Sequence, residues 1–191
     1  MLKDLRIDLD RYRQSGESRL AAFVKPAFWP VFGYRFGYWA HQETSWRWLH
    51  WPAKVAFFFF EKFSDIFWQV QLAPPTRVGA GLLLSHLGSL RVHPEVVIGR
   101  NCSLGHQVTI GTKGLGGRGA PRLGDDVYVG TGATIIGRIS IGDGARIAAN
   151  SLVNRDVPAG ATVMGVPAQI VKRNLDAGAV AAAVTLTRAG R

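Results

Sequence analysis

The sequence predicts a mainly β chain: a parallel β-helix of hexapeptide repeats, preceded by an α-helical region. Three observations predict it. Aliphatic residues recur every six positions through the second half. Twenty of the 23 Gly follow residue 70, with Gly16, Gly33 and Gly37 the exceptions. All six Trp, all ten Phe and three of the four Tyr precede residue 71. The 191 residues therefore divide into an aromatic-rich helical region at 1–70 and a repeat domain at 71–173, with an extruded loop at 112–120 and a tail at 174–191.

Residues 2–14, LKDLRIDLDRYRQ, read as a charged amphipathic helix. Pro26 and Pro30 are expected to break the chain, with Gly33 and Gly37 close behind. The run SWRWLHWPAKVAFFFFEKFSDIFWQV predicts a helix opened by Pro52 and ending near Val70. Its Phe-rich stretch is apolar nearly all round, so it must be covered. Two covers compete: the first coil and a trimer axis, or a membrane surface met through residues 23–70. The longest apolar run, Val55 to Phe60, falls far short of the ~20 residues that span a bilayer. Met1 to Gln14 lacks the apolar core of a signal peptide. A cytoplasmic location, at most against the inner face of the membrane, is the expectation.

The repeat is read directly. From Leu123, steps of six reach Val129, Ile135, Ile141, Ile147 and Val153. A second offset holds Val127, Ala133, Ile139, Ala145, Ser151 and Val157. An earlier block runs Val92, Ile98, Leu104, Ile110, and a third runs Val78, Leu84, Leu90, two residues out of phase. Each hexapeptide makes one short strand with its aliphatic residue inward, and three make an 18-residue triangular coil. Glycine or another turn-tolerant residue is expected at the corners, where a Cβ is costly. Ile110 and Leu123 stand thirteen apart, so Thr112 to Ala120 leaves the prism as a loop. Such a loop, with Lys113 and Arg118, is expected to reach a site. The tail after Arg173 reads as a short helix or a disordered end.

The net charge of +10 favours an anionic partner. Its cations are scattered singly, which argues against nucleic acid. The lone Cys102 excludes an intramolecular disulfide and a cysteine-based zinc cluster. No metal site is expected.

The runs VGAGLLLSHLGSL, VVIGRNCSLGHQVTIG and RLGDDVYVGTGATIIGRISIGDGARIAANSLV, closing in DVPAGATVMGVPAQIVK, resemble the serine acetyltransferase branch of the left-handed β-helix acyltransferases. Within it they look closest to acetyltransferases of colanic-acid and exopolysaccharide gene clusters. The resemblance covers 71–173. It implies a left-handed helix, an acetyl-CoA donor, and a homotrimer with sites between neighbouring prisms. The family's catalytic histidine matches His86. The aspartate that pairs with it falls on Gln71, and the acidic residue before it falls on Ser85. The loop's Arg-His pair falls on Gly119 and Ala120. The residues that read an amino acid's two charges are thus replaced, which favours a sugar or polysaccharide-precursor hydroxyl as acceptor. A serine O-acetyltransferase with an altered pocket is the alternative, and a scaffold that has lost catalysis, acting as a membrane or protein partner, is a third reading.

Acetyl transfer to an alcohol needs a base, an oxyanion donor and two substrates held in line. Histidine suits the first task. His86 and His106 each stand two residues after an inward leucine, one coil plus the two-residue slip apart. They are expected on one face, one rung apart, at about 4.8 Å. Continuing that face gives Thr131 and Ala149, small enough to leave a groove for a pantetheine arm. Backbone N–H groups near Gly111, Gly130 and Ala148 are candidate donors to its amides. Lys172 and Arg173 are the candidate CoA phosphate ligands, since cations hold phosphate. His93, at a corner before Pro94, joins Gln71, Ser85, Lys113 and Arg118 as a candidate acceptor contact.

Overall fold

The computed structural model describes residues 2–13, 18–43, 47–114, 117 and 119–173, and of 42–43, 47–50 and 172–173 the backbone alone. Arg118 and the tail therefore lie outside the described residues. Among the described residues, fifteen strands form the repeat domain. The first six are β1 (Val70–Leu72), β2 (Arg77–Val78), β3 (Leu83–Leu84), β4 (Leu90–Val92), β5 (Val97–Ile98) and β6 (Ser103–Leu104). Next come β7 (Thr109–Gly111), β8 (Arg122–Leu123), β9 (Tyr128–Val129), β10 (Thr134–Ile136), β11 (Ser140–Ile141) and β12 (Arg146–Ile147). The last are β13 (Leu152–Val153), β14 (Ala161–Gly165) and β15 (Ala168–Arg173). Successive strands step between three sheets, ordered β1-β4-β7-β10-β13, β2-β5-β8-β11 and β3-β6-β9-β12-β14-β15. Pairing is parallel except for the closing β14–β15 hairpin. The result is a triangular prism.

The registers reproduce the sequence spacings. Arg122 lies beside Ser140, 18 residues on. In the first coil Leu83 lies beside Ser103, 20 on, which is the two-residue slip. In the coil that carries the loop Ser103 lies beside Tyr128, 25 on. The predicted inward residues are buried in stacks: Leu84, Leu104, Val129 and Ile147 on one side, Ile110, Ile135 and Val153 on another.

Glycine takes some of the corners, with Gly132, Gly144 and Gly160 at φ of 73°, 65° and 66°. Many left-handed corners are taken by polar residues, with Asn101, Gln107, Asp126 and Asn150 at φ of 56–57°. The short polar side chains of Asn and Asp tolerate that region. Gly130, which follows an inward aliphatic residue, is not at positive φ. A Cβ there would lie 2.6 Å from the N of Ala149 in the next coil. That glycine serves close stacking rather than turning.

The helical region contains α1 (Leu2–Arg11), α2 (Arg19–Val24), α3 (Phe28–Tyr38) and α4 (Arg47–Phe63), with π-helical turns at Trp39–Glu43 and Ser64–Trp68. Two proline expectations are corrected. Pro30 lies inside the first turn of α3, where its missing N–H has no intrahelical partner to lose. Pro52 lies within α4, which begins at Arg47. The helix ends after the second π-helical turn, at Gln69 in the left-handed conformation. Gly33 and Gly37 sit inside α3 because the rings of Phe60 and Phe57 from α4 occupy the space of a Cβ. The outer stripe of α4 and the turn after it leaves Trp51, Val55, Phe58, Phe59, Phe63, Ile66 and Phe67 exposed. No helix among the described residues is long and apolar enough to cross a membrane.

A few polar contacts join the helices to the prism. The fully buried Asp8 of α1 accepts from Arg35 Nε at 2.8 Å and Nη2 at 3.2 Å. It also accepts from the N–H groups of Gly81 at 2.7 Å and Leu82 at 3.0 Å. Arg35 donates onward to the carbonyls of Val78 and Gly79. Burial is the largest influence on Arg35 and works against its charge, yet the bond to Asp8 carries its pKa above the ordinary value. Tyr34 donates to the carbonyl of Thr76 at 2.6 Å, and burial pushes its phenol up to about 12.

Candidate active site

His86 follows β3 and His106 follows β6. Because Leu84 pairs with Leu104, the two histidines fall in one column. Their ring centroids are 5.7 Å apart at 77°, edge to face. His86 is exposed and His106 half-buried. Val129 continues the column to Thr131, whose Oγ1 lies 3.5 Å from His106 Nδ1. Ile147 continues it to Ala149. The same sheet ends in β15, where Lys172 and Arg173 pair with Thr162 and Ala161 of β14. At about 4.8 Å per strand, His86 and this end of the sheet lie about 24 Å apart.

The turn after His86 is held in place. Gly88 and Ser89 have φ of 123° and 40°, and the Gly88 carbonyl accepts from Gln107 N at 3.0 Å. Before His86, Ser85 is exposed and donates its N–H to the Leu104 carbonyl.

Other predicted residues stand elsewhere. Gln71 is exposed on β1 and pairs with Arg91, in a different sheet from the histidine column. Among the described residues it makes no hydrogen bond to either histidine. His93 follows β4, again on that other sheet, and its Nδ1 accepts from Glu95 N at 3.3 Å. Lys113 is exposed in the loop, its Cβ near Gly137. Gly130 and Ala148 donate their N–H groups to the carbonyls of Ile147 and Val163. Those two donors are committed to the ladder, contrary to expectation, because stacked coils pair residue for residue. Gly111 lies on β7, outside the histidine column, and its carbonyl accepts from Gly137 N. Cys102 is buried, which pushes its thiol up to about 11, so it is no nucleophile near neutrality.

What the sequence reading missed is the helical contribution. A cavity of about 750 Å³ opens beside His86, walled by residues 83–87 of the prism and by residues 11–13 and 25–27 of the helical region. Tyr12 holds the seam. Its hydroxyl accepts from Leu84 N at 2.8 Å and donates to the Ala27 carbonyl at 3.0 Å. Next to it, Arg11 Nη2 donates to Ser103 Oγ at 2.9 Å and to the Asn101 carbonyl at 3.2 Å. Residues 11 and 12 thus brace the two strands that carry the histidines. Amphipathic periodicity placed α1 but gave no sign of these contacts, which join residues 72 and 92 positions apart.

The profile for bacterial transferase hexapeptide (six repeats) matches residues 120–155. A serine acetyltransferase of Mycobacterium tuberculosis is 31% identical over 172 residues, 90% of this chain and 72% of that protein. The chain belongs to the serine acetyltransferase family. The Escherichia coli K12 serine acetyltransferase is 36% identical over 133 residues, 69% of this chain but 48% of that protein, so the chain spans about half of that relative. Among solved structures, the Brucella abortus serine acetyltransferase in complex with coenzyme A superposes with a TM-score of 0.76 at 30% identity, covering 90% of this chain and 68% of that one. The family fold is the left-handed hexapeptide β-helix, and this member is an acyltransferase with acetyl-CoA as donor. These matches carry serine acetyltransferase names and do not show the exopolysaccharide branch.

Proposed function

We propose that this family member transfers the acetyl group of acetyl-CoA to an alcohol whose proton is taken by His86. The edge-to-face pairing of His106 with His86, which lines the cavity, carries the reading. In the step, the acceptor O–H gives its proton to His86 and its oxygen attacks the thioester carbonyl. The C–S bond then breaks, an ester forms, and the CoA sulfur leaves as a thiol with the proton His86 returns. His106 faces His86, and Thr131 Oγ1 faces His106. Lys172 and Arg173, at the far end of the sheet, are the residues we assign to the CoA phosphates. The same reading takes the chain as a homotrimer with sites between prisms, which light scattering tests.

Serine is the acceptor with the broader support, because the relatives aligned over 90% of the chain bear that name. One observation favours a second acceptor, a sugar hydroxyl. No Asp or Glu among the described residues lines the cavity beside His86, so a serine ammonium meets no carboxylate there. The deciding experiment follows CoA thiol release with acetyl-CoA and, in turn, L-serine and saccharide acceptors. Release with serine alone establishes the first acceptor. Release with saccharides alone establishes the second. No release with either refutes catalysis and leaves the scaffold reading.

A further inference from the structure

His86 belongs to two features at once. It lines the cavity between the prism and the helical region. It also begins the column that runs through His106, Thr131 and Ala149, none of which lines that cavity. An acceptor in the cavity and an acyl donor along the column would therefore meet at His86, with His106 as the next ring on the donor's side. Among the described residues no hydrogen bond joins the two imidazoles, which touch edge to face with centroids 5.7 Å apart. That contact gives His106 no direct path to the proton on His86, so its part in the reaction is a different one.

The backbone at His106 is fixed. Its carbonyl accepts from Gly132 N at 3.0 Å, and the Thr131 carbonyl accepts from Asn150 N at 2.8 Å. A Cβ on Gly105 would lie 2.6 Å from Thr131 N, so the glycine before His106 lets the two coils close up at this corner. Within that frame Thr131 Oγ1 meets His106 Nδ1 at 3.5 Å. A hydroxyl that donates to Nδ1 leaves the ring hydrogen on Nε2. A donor held in place before the reaction is what a developing oxyanion requires. We infer, on the acetyl-transfer reading, that His106 is the oxyanion donor of the reaction and Thr131 its positioning residue. As the acceptor oxygen gives its proton to His86 and bonds to the thioester carbonyl carbon, the C=O π pair moves onto the carbonyl oxygen. His106 Nε2–H donates a hydrogen bond to that oxygen and keeps its own proton. The pair then returns, the C–S bond breaks, and the sulfur takes the proton from His86. One histidine handles the proton and the other the charge.

The test follows CoA release by the full chain from acetyl-CoA, with L-serine and with glucose as acceptors. It is repeated with the dithioester analogue, in which sulfur, a weak hydrogen-bond acceptor, replaces the carbonyl oxygen. With acetyl-CoA, His106→Ala should lower kcat about 10²–10³-fold while the KM of acetyl-CoA stays within about twofold. With the analogue the same variant should lose less than about tenfold, because the parent has already lost that hydrogen bond. Thr131→Val keeps the ring and should cost about tenfold in kcat, and Thr131→Ser should restore it. This pair decides the matter if His106→Ala does not fold. Full kcat in His106→Ala overturns the inference and leaves acetyl transfer standing. So does an equal loss with the oxygen and the sulfur donor, which would make His106 a structural contact. If the intact chain releases no CoA with either acceptor, the acetyl-transfer reading falls, and the inference with it.

Discussion

The prism and the helical region are stabilised in opposite ways. The prism repeats one solution: an inward aliphatic residue, a short strand, a corner, then the same again one coil later. Its stability is spread over rungs such as Ile110, Ile135 and Val153, each covered by its neighbours. The helical region has no repeat. It shares one apolar cluster with the prism through Phe28, Val31 and Tyr34, and is fastened there by hydrogen bonds that include Asp8 on Gly81 and Leu82, Arg11 on Asn101 and Ser103, Arg35 on Val78 and Gly79, Tyr12 on Leu84 and Tyr34 on Thr76. The difference teaches where single changes matter. A prism spreads its losses, whereas the buried polar contacts of the seam concentrate them. The candidate active site lies on that seam, where the repeating scaffold supplies the histidines and the helical region supplies the opposite wall.

The largest effect separates chemistry from both regions. His86→Ala should lower kcat about 10²–10⁴-fold, read as CoA release. Its circular dichroism should be unchanged, since His86 is exposed. Full turnover in this variant would remove the mechanism. The next effect belongs to the seam. Asp8→Ala leaves Arg35 buried without its partner and two backbone N–H groups unmatched, so it should cost about 3–5 kcal/mol in denaturant titration. Amide exchange should rise in α1 and α3 while the rungs from β9 onward stay protected. Uniform loss of protection would show that the prism depends on the helices as much as they on it.

A smaller loss is expected from Tyr12→Phe. The ring keeps its edge contact with Phe28, and burial already holds the phenol protonated far above neutrality. Removing the hydroxyl leaves the Leu84 N–H unmatched at a cost of about 1–3 kcal/mol. Because Leu84 sits two residues before His86, kcat should fall more than the KM of acetyl-CoA rises. Equal changes in both would make Tyr12 a purely structural contact.

The smallest effect lies in the prism and depends on pH. Asp125 is held below the ordinary carboxylate pKa, first by the Arg100 N–H and then by its guanidinium. A lowered folded-state pKa contributes stability above the unfolded value and loses it as pH falls through the folded one. Asp125→Asn should therefore be less stable than the parent near neutrality and indistinguishable from it once acid has protonated Asp125. A gap that persists in acid would assign the effect to packing instead.

Much of the prism was legible in the residues. The six-residue period placed the inward stacks, the two-residue slip aligned His86 with His106, and the excess spacing from Ile110 to Leu123 exposed the loop. These follow because a coil pairs each residue with one a fixed distance along the chain, so spatial neighbours are written as spacings. The corners were legible only in part, since Asn and Asp share the left-handed region with glycine, and Gly130 answers to stacking instead. The helical region shows the limit. Its helices were visible as apolar and charged periodicity, but the Asp8–Arg35 pair and the placing of Arg11, Tyr12 and Lys25 against His86 were not. Those contacts depend on the angle at which helices without a shared period settle on the first coil. That angle is set by long-range packing, and no spacing along the chain encodes it.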